Sequence, residues 1–547
     1  MKWHIQSASK IENLEELKQI LLSNRKIEDE QNFFKGISPF KISLEELGID
    51  EKELEKIKER LKKAKENKEK IIVFGDYDAD GISATAVLWQ ALHAEGYNTL
   101  PFIPNRLKHG YGLSVKALDD LLNEQKDIAL IITVDNGIVA HSALKFLKKQ
   151  KIDVIITDHH QKDEQELDAL AVFHSSKVCG CAVAWFLARE ISSKEEKKLL
   201  IDLLALVAIA TVTDLMPLLS INRFLLMYGL VVLRSNTNLG LKHLFSLSKI
   251  DPNKIDTYTL GFQIGPRINA MGRLADGMDA LRLLCTKDKN KAASLSDLLH
   301  GTNEDRQNLT FDLTKQAEEL VNKEIDEKII ILSSDTYHEG IIGLIAGKMT
   351  EKFSKPSIVI SVGPQVSKAS ARSLPGFNIT EFIRLFRKDL LEVGGHPLAA
   401  GFALETSKID LVKKAMQIKA KEMLQDKNLE KVLEIESVLP TDLLNLETIE
   451  LIETFAPFGL ANSKPVFILK NAIFKNYKLL GKEGEHLKMT IAFENLNTEY
   501  EVLAWRRADL ASEFVLGDRL DLVVSLDVNS YRGTSKLQLT LKDIKKI

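Results

Sequence analysis

Cysteine is scarce in this sequence, and its arrangement does not suggest disulfides or zinc. There are 3 among 547 residues: Cys179 and Cys181 form a C-x-C pair, and Cys285 stands alone. A secreted disulfide-stabilised domain would use more, and structural zinc sites usually need four ligands at wider spacings. We therefore interpret all three as small reduced core residues.

Long apolar runs are also missing. The N-terminus, MKWHIQSASKIENLEELKQ, contains no apolar segment of the signal-peptide type. The most apolar helical stretch runs from Leu199 to Val212; it is too short to span a bilayer and is interrupted by Asp202. We expect a buried core helix here, no membrane association, and a cytoplasmic protein.

The chain has no strong charge of either sign. The 74 basic and 77 acidic residues leave a net charge of −3. Nucleic-acid-binding domains are often basic, but a local basic groove is compatible with a balanced total. Charge therefore neither favours nor excludes such a partner. No stretch is rich enough in Pro, Gly or Ser to form a long disordered linker, and a length of 547 residues favours several domains.

Between residues 70 and 160, short apolar strands alternate with helices. The runs KIIVF, DIALIITV and IDVIIT are rich in β-branched residues, as is typical of strands buried on both faces. Helical segments, ISATAVLWQALHAEG and HSALKFLKKQ, follow the first two. This alternation predicts a parallel sheet with right-handed crossovers, in which ligands bind beyond the carboxyl ends of the strands.

Each of these three strands ends in acids or histidines. Carboxylates crowded together repel each other unless a cation lies among them or some remain protonated. A further acid, Asp214, follows the core helix. The residues at the strand ends are Asp76, Asp78 and Asp80 of GDYDADG, Asp135 of VDNG, and Asp158, His159 and His160 of TDHH.

Two other interpretations of GDYDADG are weaker. An EF-hand loop needs a bidentate Glu at its twelfth position, where this sequence has Val87, and the preceding segment resembles a strand. Helix capping accounts for one Asp at a strand-to-helix turn but not for three. A metal site remains. Carboxylates with imidazoles suit Mn²⁺ or Mg²⁺ better than Zn²⁺, and this number of ligands suits two ions, which in such pairs promote phosphoryl hydrolysis.

The rest of the chain predicts further domains. We expect a charged helical extension over residues 1–69, the α/β domain over 70–225, a helical connector over 226–325, a second α/β domain over 326–428 and an antiparallel β barrel over 429–547. The last prediction rests on period-two alternation in RLDLVVSLDV and SKLQLTLKDI. Trp505, Tyr531 and Arg532 are candidates there for contacts with bases or backbone.

The motifs together resemble a known family. GDYDADG, VDNG, TDHH and TVTDLMPL are similar to the four motifs of the DHH phosphoesterases, and the order of the later motifs resembles the RecJ branch, which degrades single-stranded DNA. The resemblance covers residues 60 to 547. It rests on GPRINAMGRL (265–274), HEGIIGLIAGKMTEKFSKP (338–356), ASARSLPGF (369–377), GGHPLAAGF (394–402), FAPFGLANSKPVF (455–467) and GKEGEHLKM (481–489).

This resemblance implies roles for individual residues. It implies a DHH domain and a DHH-associated domain joined by a long helix, followed by an oligonucleotide-binding (OB) barrel. Asp135 is the expected bridging ligand, and Asp135, His160 and Asp158 form the expected catalytic group. Phe74 stands where relatives often have His, which puts the coordination of one ion in doubt. The metal ligands implied are Asp76, Asp78, Asp80, Asp135, His159 and Asp214.

Phosphate-binding residues are also implied. Ser370 and Arg372, together with Arg106, resemble a pocket for a 5′ phosphate, which would set polarity. Gly394 and Gly395 resemble a backbone approach to the substrate. The full set of phosphate-binding candidates is Arg106, Arg267, Asn269, Arg273, Ser370, Arg372 and His396.

The expected function is a 5′→3′ exonuclease on single-stranded DNA that releases mononucleotides in recombination and repair. Two divalent cations are expected, Mn²⁺ preferred and Mg²⁺ as the alternative. A monomer is expected, with single-stranded DNA, a helicase and a single-strand-binding protein as partners. The alternatives are a DHH phosphodiesterase acting on short oligonucleotides or cyclic dinucleotides, an inorganic pyrophosphatase, and a non-catalytic DNA-binding scaffold.

Overall fold

The computed structural model describes residues 2–110, 112–235, 238–321, 327–424, 432–531 and 534–547. The chain divides into two compact units, each built from segments that are distant in sequence. The first unit comprises residues 1–38, 217–224 and 431–547, and the second comprises residues 39–216 and 225–430.

The N-terminal segment differs from the expected helical extension because it begins with a strand. β1 pairs in parallel with a strand that begins at residue 432, which joins the first and the last segments of the first unit. The elements before residue 70 are β1 (Lys2–Ile5), α1 (Leu14–Asn24), α2 (Glu30–Lys35), α3 (Leu44–Leu47) and α4 (Glu51–Glu66).

The following segment folds into the predicted parallel sheet. Its five strands lie in the order β3-β2-β4-β5-β6, and every neighbouring pair is parallel. The elements are β2 (Lys70–Phe74), α5 (Ala79–Ala94), β3 (Thr99–Phe102), α6 (Arg106–His109), α7 (Val115–Glu124), β4 (Ile128–Val134), α8 (His141–Lys149), β5 (Asp153–Asp158), β6 (Ala171–His174), α9 (Gly180–Ile191) and α10 (Lys197–Thr213).

α10 is the predicted core helix. Its residues Leu203 to Thr211 are buried, and Asp202 is paired on the surface with Lys198 at 2.7 Å. Within the described residues, no helix combines the length and the apolar character required to cross a membrane.

Helices fill the next hundred residues. The last of them, with 33 residues, is about 50 Å long at the usual rise of 1.5 Å per residue. They are α11 (Ser220–Ser235), α12 (Leu239–Leu247), a π-helical turn (Thr259–Ile264), α13 (Gly265–Leu274), α14 (Gly277–Cys285) and α15 (Lys289–Val321).

A second, mixed sheet follows, with the order β10-β11-β9-β8-β7. Only β7 and β8 are parallel, and the other neighbouring pairs are antiparallel. The elements are β7 (Ile330–Ser334), α16 (Ile342–Phe353), β8 (Ser357–Ser361), β9 (Val366–Arg372), α17 (Ile379–Arg384), β10 (Glu392–His396), β11 (Ala399–Glu405) and α18 (Ile409–Met423).

The C-terminal segment forms the predicted barrel. Strands β14-β15-β16-β18-β17 follow one another around it, and β14 pairs with β17 to close it. The barrel is not wholly antiparallel as predicted, because β16 and β18 run in parallel. The elements are β12 (Val432–Ile435), β13 (Ser437–Val438), α19 (Leu446–Thr454), β14 (Phe467–Leu480), β15 (His486–Ala492), β16 (Glu499–Ala504), β17 (Arg519–Tyr531) and β18 (Thr534–Lys546).

A buried arginine connects three segments of the first unit. Arg223 is fully buried and lies 3.9 Å from the ring centroid of Phe33. Its guanidinium donates to the carbonyls of Phe33 at 2.9 Å, Phe455 at 3.0 Å and Ala456 at 2.7 Å. A buried cation is tolerated when its donors are paired in this way, so Arg223 is a structural residue.

Candidate metal centre and phosphate site

The acidic turn lies between β2 and α5, at the carboxyl edge of the parallel sheet. Asp78 is the N-cap of α5, and its carboxylate accepts a hydrogen bond from the Gly81 N–H at 2.9 Å. Asp76 and Asp80 are buried on either side of this cap. One Asp therefore caps the helix and the other two do not. Val87 lies buried within α5, which excludes an EF-hand loop.

The start of α9 holds Asp80. Its two carboxylate oxygens accept hydrogen bonds from the N–H groups of Gly180 at 2.8 Å and Cys181 at 2.7 Å. A side chain at position 180 would displace the Asp135 carboxylate, because a Cβ there would lie 2.3 Å from Asp135 Oδ1. All three cysteines are free, and Cys179 and Cys181 are buried, which confirms the prediction for this pair.

Asp135 and His159 lie at the centre of the cluster. Asp135 has a left-handed backbone conformation, with φ of 61°. His159 Nε2 lies 3.1 Å from Asp135 Oδ1 and 3.8 Å from Asp80 Oδ2, and its Nδ1 lies 3.7 Å from Asp214 Oδ2. Burial, followed by the charge of His160, lowers the pKa of His159 to about 4. Its imidazole is therefore neutral near pH 7, the form that binds metals.

Asp158 orients His160 and the backbone around it. Asp158 Oδ1 accepts from His160 Nδ1 at 2.7 Å and from the His159 N–H at 2.7 Å, while Oδ2 accepts from the Ile138 N–H at 2.9 Å. Burial opposes charge on both partners, but their hydrogen bond outweighs it. The pKa of His160 is raised to about 9, and the pKa of Asp158 is lowered. The pair is therefore an imidazolium with its carboxylate.

In the remaining carboxylates, burial and the charges of neighbouring acids outweigh any hydrogen bonds that the carboxylates accept. Burial, followed by the charge of Asp78, raises the pKa of Asp76 to about 8 and of Asp80 to about 7. Burial and the charge of Asp80 raise the pKa of Asp214 to about 8, and the pKa of Asp135 is raised well above its ordinary value for the same reasons. Asp76 Oδ1 and Asp135 Oδ1 are buried without a hydrogen-bond partner among the described residues.

This arrangement fits bound cations. The described residues contain three groups in which the potential ligand atoms all lie within 4.8 Å of one another. The groups are Asp76, Asp78 and Asp135; Asp80, His159 and Asp214; and Asp135, Asp158, His159 and His160. The first two groups share no residue and so offer a separate set of ligands to each of two ions. Asp135, the expected bridging ligand, belongs to the first group and lies 3.1 Å from His159 of the second. Phe74, where the resemblance implies a His in other members of the family, is fully buried in the core beside Phe102.

A cluster of arginines lies in the same unit. Arg273 donates to the Gly340 carbonyl at 3.0 Å, and Arg372 donates to Ser370 Oγ at 3.2 Å. Burial lowers the pKa of Arg273 to about 10, with contributions from the charges of Arg106, Arg306 and Arg372. Burial and the charge of Arg106 also lower the pKa of Arg372. The guanidiniums are thus close enough to repel one another, as is typical of a site for anions.

α13 links the arginines to the acidic turn. The Asn269 side-chain carbonyl accepts from the Ala79 N–H at 2.8 Å, so Asn269 positions the turn. Gly272 permits this packing, because a Cβ there would lie 2.0 Å from the Tyr77 carbonyl oxygen. Arg267 turns away from that contact, toward His300 Nδ1 at 3.3 Å.

The remaining candidates lie on exposed surfaces. His396, Gly394 and Gly395 are exposed on β10, an edge strand, and a Cβ at Gly394 would meet nothing within 4 Å. In the barrel, Trp505 is 56% exposed. Its ring lies edge-on to the ring of His486, with the two ring centroids 4.9 Å apart. The side chain of Tyr531 and the whole of Arg532 lie outside the described residues.

Comparison with known proteins identifies the family. A single-stranded-DNA-specific exonuclease RecJ of Thermus thermophilus is 30% identical over 495 residues, which cover 89% of this chain and 70% of that protein. The chain belongs to the RecJ family.

Matches to individual domains agree with RecJ membership. Residues 70–211 match the DHH family N-terminal domain, residues 326–422 match the DHHA1 domain, and residues 435–543 match the RecJ OB domain. The RecJ of Bacillus subtilis is 32% identical over 497 residues, or 89% of this chain. The chain spans 62% of the length of that relative.

Solved RecJ structures share the fold. The crystal structure of RecJ from Thermus thermophilus in complex with Mn²⁺ matches with a TM-score of 0.84 and 26% identity, covering 100% of this chain and 80% of that one. A crystal structure of exonuclease RecJ bound to manganese matches with a TM-score of 0.60 and 31% identity, covering 69% of this chain and 96% of that one.

The sequence of this RecJ chain did not single out Arg306, which lies near the other arginines. Arg306 lies on α15, donates to Asn303 Oδ1 at 3.0 Å, and is among the charges that lower the pKa of Arg273. Its sequence context, GTNEDRQN, is that of an ordinary solvated helix. The one available signal was that a long connecting helix presents some of its face to the site it crosses.

Proposed function

We propose that this chain is a metal-dependent 5′→3′ exonuclease that hydrolyses phosphodiester bonds of single-stranded DNA and releases mononucleotides. One observation carries the proposal. Carboxylates and an imidazole from separate segments of the second unit converge in two groups of potential ligands, in the same unit as a cluster of partly buried guanidiniums. Such an arrangement suits two divalent cations and a phosphate.

The ligand groups assign residues to the two cations. Asp76, Asp78 and Asp135 would hold one ion, and Asp80, His159 and Asp214 would hold the other, with Asp135 near both because His159 lies 3.1 Å from it. Mn²⁺ is the preferred metal and Mg²⁺ the alternative. When bound, such a pair lowers the pKa of water and neutralises negative charge on the phosphodiester.

The protein's own groups would orient the substrate and move protons. The His160 imidazolium, fixed by Asp158, would donate a hydrogen bond to a phosphate oxygen and supply a proton to a leaving oxygen. Asp158 acts through His160 and the backbone, because its two oxygens already accept hydrogen bonds. His396, on the exposed edge strand, would contact a phosphate near the ions.

Polarity would come from a terminal phosphate site. Arg106, Ser370 and Arg372 would bind a 5′ phosphate, since guanidinium forks match phosphate oxygens. Arg267, Arg273 and Arg306 would hold phosphates further along. This polarity and the preference for DNA follow from RecJ membership rather than from the geometry. Action on short oligonucleotides or cyclic dinucleotides is less favoured, because residues 435–543 match the RecJ OB domain.

The biological setting belongs to the same proposal. Single-stranded DNA is the substrate in recombination and repair, with a helicase and a single-strand-binding protein as partners. The protein acts as a monomer in the cytoplasm. The domain bounds predicted from the sequence are 1–69, 70–225, 226–325, 326–428 and 429–547, and the two compact units divide the first of these segments after residue 38.

One assay tests the activity directly. Single-stranded DNA labelled at either the 5′ or the 3′ end is incubated with Mn²⁺, Mg²⁺ or chelator, with a matched duplex as the control. We expect the label of 5′-labelled strands to be released at once as a mononucleotide, and 3′-labelled strands to shorten gradually. Chelator should abolish both the release and the shortening. Shortening from the 3′ end first would contradict the polarity, and cleavage in chelator would contradict the metal requirement.

A further inference from the structure

Two exposed aromatic rings lie side by side on the π-helical turn. Tyr258 and Phe262 are 60% and 69% exposed, and their ring centroids are 5.0 Å apart with 23° between the ring planes. Aromatic side chains usually bury most of their surface. Two neighbouring exposed rings form an apolar surface of the kind found at interaction sites.

The backbone holds this pair in place. The Gly265 N–H donates to the Leu260 carbonyl, the i→i+5 bond of a π-helix. At the other end, Asp256 Oδ1 accepts from the N–H and the hydroxyl of Thr259, both at 2.8 Å. π-Helical turns occur frequently at functional sites, and this one presents both rings from an ordered segment.

The turn adjoins both the metal centre and the arginines. A Cβ at Gly265 would lie 2.2 Å from Thr213 Cγ2, so the turn packs directly against the residue before Asp214. Arg267 donates from Nη1 to the Gln263 carbonyl, which places its guanidinium against the turn itself. The aromatic pair therefore lies on the segment that joins an expected metal ligand to a phosphate-binding candidate.

We propose that Tyr258 and Phe262 form a stacking platform for nucleobases of the single-stranded substrate. The proposal rests on the proposed nuclease function and adds a base-binding site to it. A single strand alternates flat apolar bases with anionic phosphates, and here two exposed rings belong to a turn whose Gln263 carbonyl accepts a hydrogen bond from the Arg267 guanidinium. Stacking tolerates any sequence because every base has a π face, and duplex DNA withholds its bases from such a surface.

Binding by substituted proteins tests the platform. Affinity for a fluorescent single strand is measured with chelator present, so that no cleavage occurs. The double variant Tyr258→Ala/Phe262→Ala should bind about tenfold or more weakly. Phe262→Leu keeps apolar volume without a π face and should also weaken binding. Phe262→Tyr keeps an aromatic ring and should bind the single strand as tightly as wild type. The control Leu411→Ala removes a side chain that is 62% exposed on α18 and should leave affinity unchanged.

A second measurement uses the unaltered protein. An abasic site is moved along the strand one position at a time. One or two positions should weaken binding by the wild-type chain, and those positions should lose their effect in the double variant. A uniform profile, or an equal loss in both proteins, would overturn the platform. The wild-type profile by itself already tests the platform, so this part of the experiment applies even where a substitution impairs folding.

The outcomes separate the two proposals. If the wild-type chain neither binds nor degrades single strands, the nuclease function itself fails. If it degrades them normally and the double variant binds as tightly as wild type, only the platform fails. The second result would leave the aromatic pair as a surface for another protein.

Discussion

The two units of this protein contain contrasting examples of buried charge. In the first unit, Arg223 is surrounded by carbonyl acceptors, and Arg25 is paired with Glu436 at 2.7 Å and bonded to Asn462 at 2.8 Å. In the second unit, the His160 imidazolium is paired with Asp158, whereas the other carboxylates of the cluster lie close to one another. Burial, followed by the charge of Asp78, raises the pKa of Asp76 to about 8.

This difference separates structural charge from functional charge. A buried ion whose partners all come from the protein stabilises the fold only if none of those partners is lost. A buried cluster of like charges opposes folding and is retained for something that arrives later, such as a cation. The arginine cluster of the second unit follows the same rule with the opposite sign, because its guanidiniums repel one another until an anion binds.

The largest effect is expected from Asp135→Ala. Asp135 lies close to both ligand groups, so its loss should lower single-strand cleavage at least about a thousandfold. Single-strand affinity should remain largely intact, because the arginines are untouched. Gel assays of cleavage and anisotropy measurements of binding follow the two quantities separately.

The matched control for this variant is Asp202→Ala, which removes an acid on the surface of α10. Full turnover by Asp135→Ala would remove Asp135 from the centre. The stability of the Asp135→Ala variant is equally informative. Because the substitution removes one of several carboxylates that repel one another, the free energy of unfolding in chelator should be unchanged or higher.

Arg223→Met is the converse experiment. It should lower the free energy of unfolding by about 3 kcal/mol, because several buried carbonyls lose their donor. Urea denaturation measures this value. Arg519→Met removes an arginine of the same unit whose side chain is 49% exposed and paired with Glu494, and it should change stability by less than about 0.5 kcal/mol. Equal effects of the two variants would erase the distinction between buried and exposed pairs.

Gly180→Ala should affect the metal centre alone. The added Cβ would lie 2.3 Å from Asp135 Oδ1, so the carboxylate must move. We expect metal affinity to fall about 10- to 100-fold, the size typical of changes next to metal ligands, measured by titrating Mn²⁺ and following bound metal. A control in the same chain is Gly301→Ala, since a Cβ there meets nothing within 4 Å. Unchanged affinity for Mn²⁺ would mean that the ions do not depend on this position of Asp135.

Several features of the site followed from the sequence because they depend on local order along the chain. Parallel strands end at the same edge of a sheet, so Asp80, Asp135 and His159 were expected to meet, and the structure brings them together. The buried state of Cys179 and Cys181 followed from the ordinary behaviour of free cysteines.

Other features depend on contacts between distant segments and could not be predicted. Nothing near β1 indicates that it pairs with β12, more than 400 residues later. The hydrogen bond by which the Asn269 carbonyl accepts from the Ala79 N–H of the acidic turn joins segments that are 190 residues apart. Arg306 has an unremarkable helical context, and its charge acts on Arg273 only because α15 brings the two residues near each other.

The smallest effect is expected from Arg372→Ala. This variant tests whether the arginine cluster, like the metal centre, serves to bind a ligand rather than to stabilise the fold. Removing this guanidinium should reduce cleavage of 5′-phosphorylated strands about tenfold relative to 5′-hydroxyl strands, because a charged hydrogen bond to the terminal phosphate is lost. Competition between the two substrates in one reaction measures the ratio.

Arg384→Ala provides the control, since Arg384 lies in the same domain, is about half exposed and pairs only with Glu381 among the ion pairs described.

Because Arg372 is partly buried beside other guanidiniums, its loss should relieve repulsion. Arg372→Ala should therefore unfold at the same or a higher urea concentration than wild type, in contrast to Arg223→Met. If it instead kept its preference for phosphorylated ends and lost stability, Arg372 would be a structural charge, and the cluster would belong with the first unit's arginines.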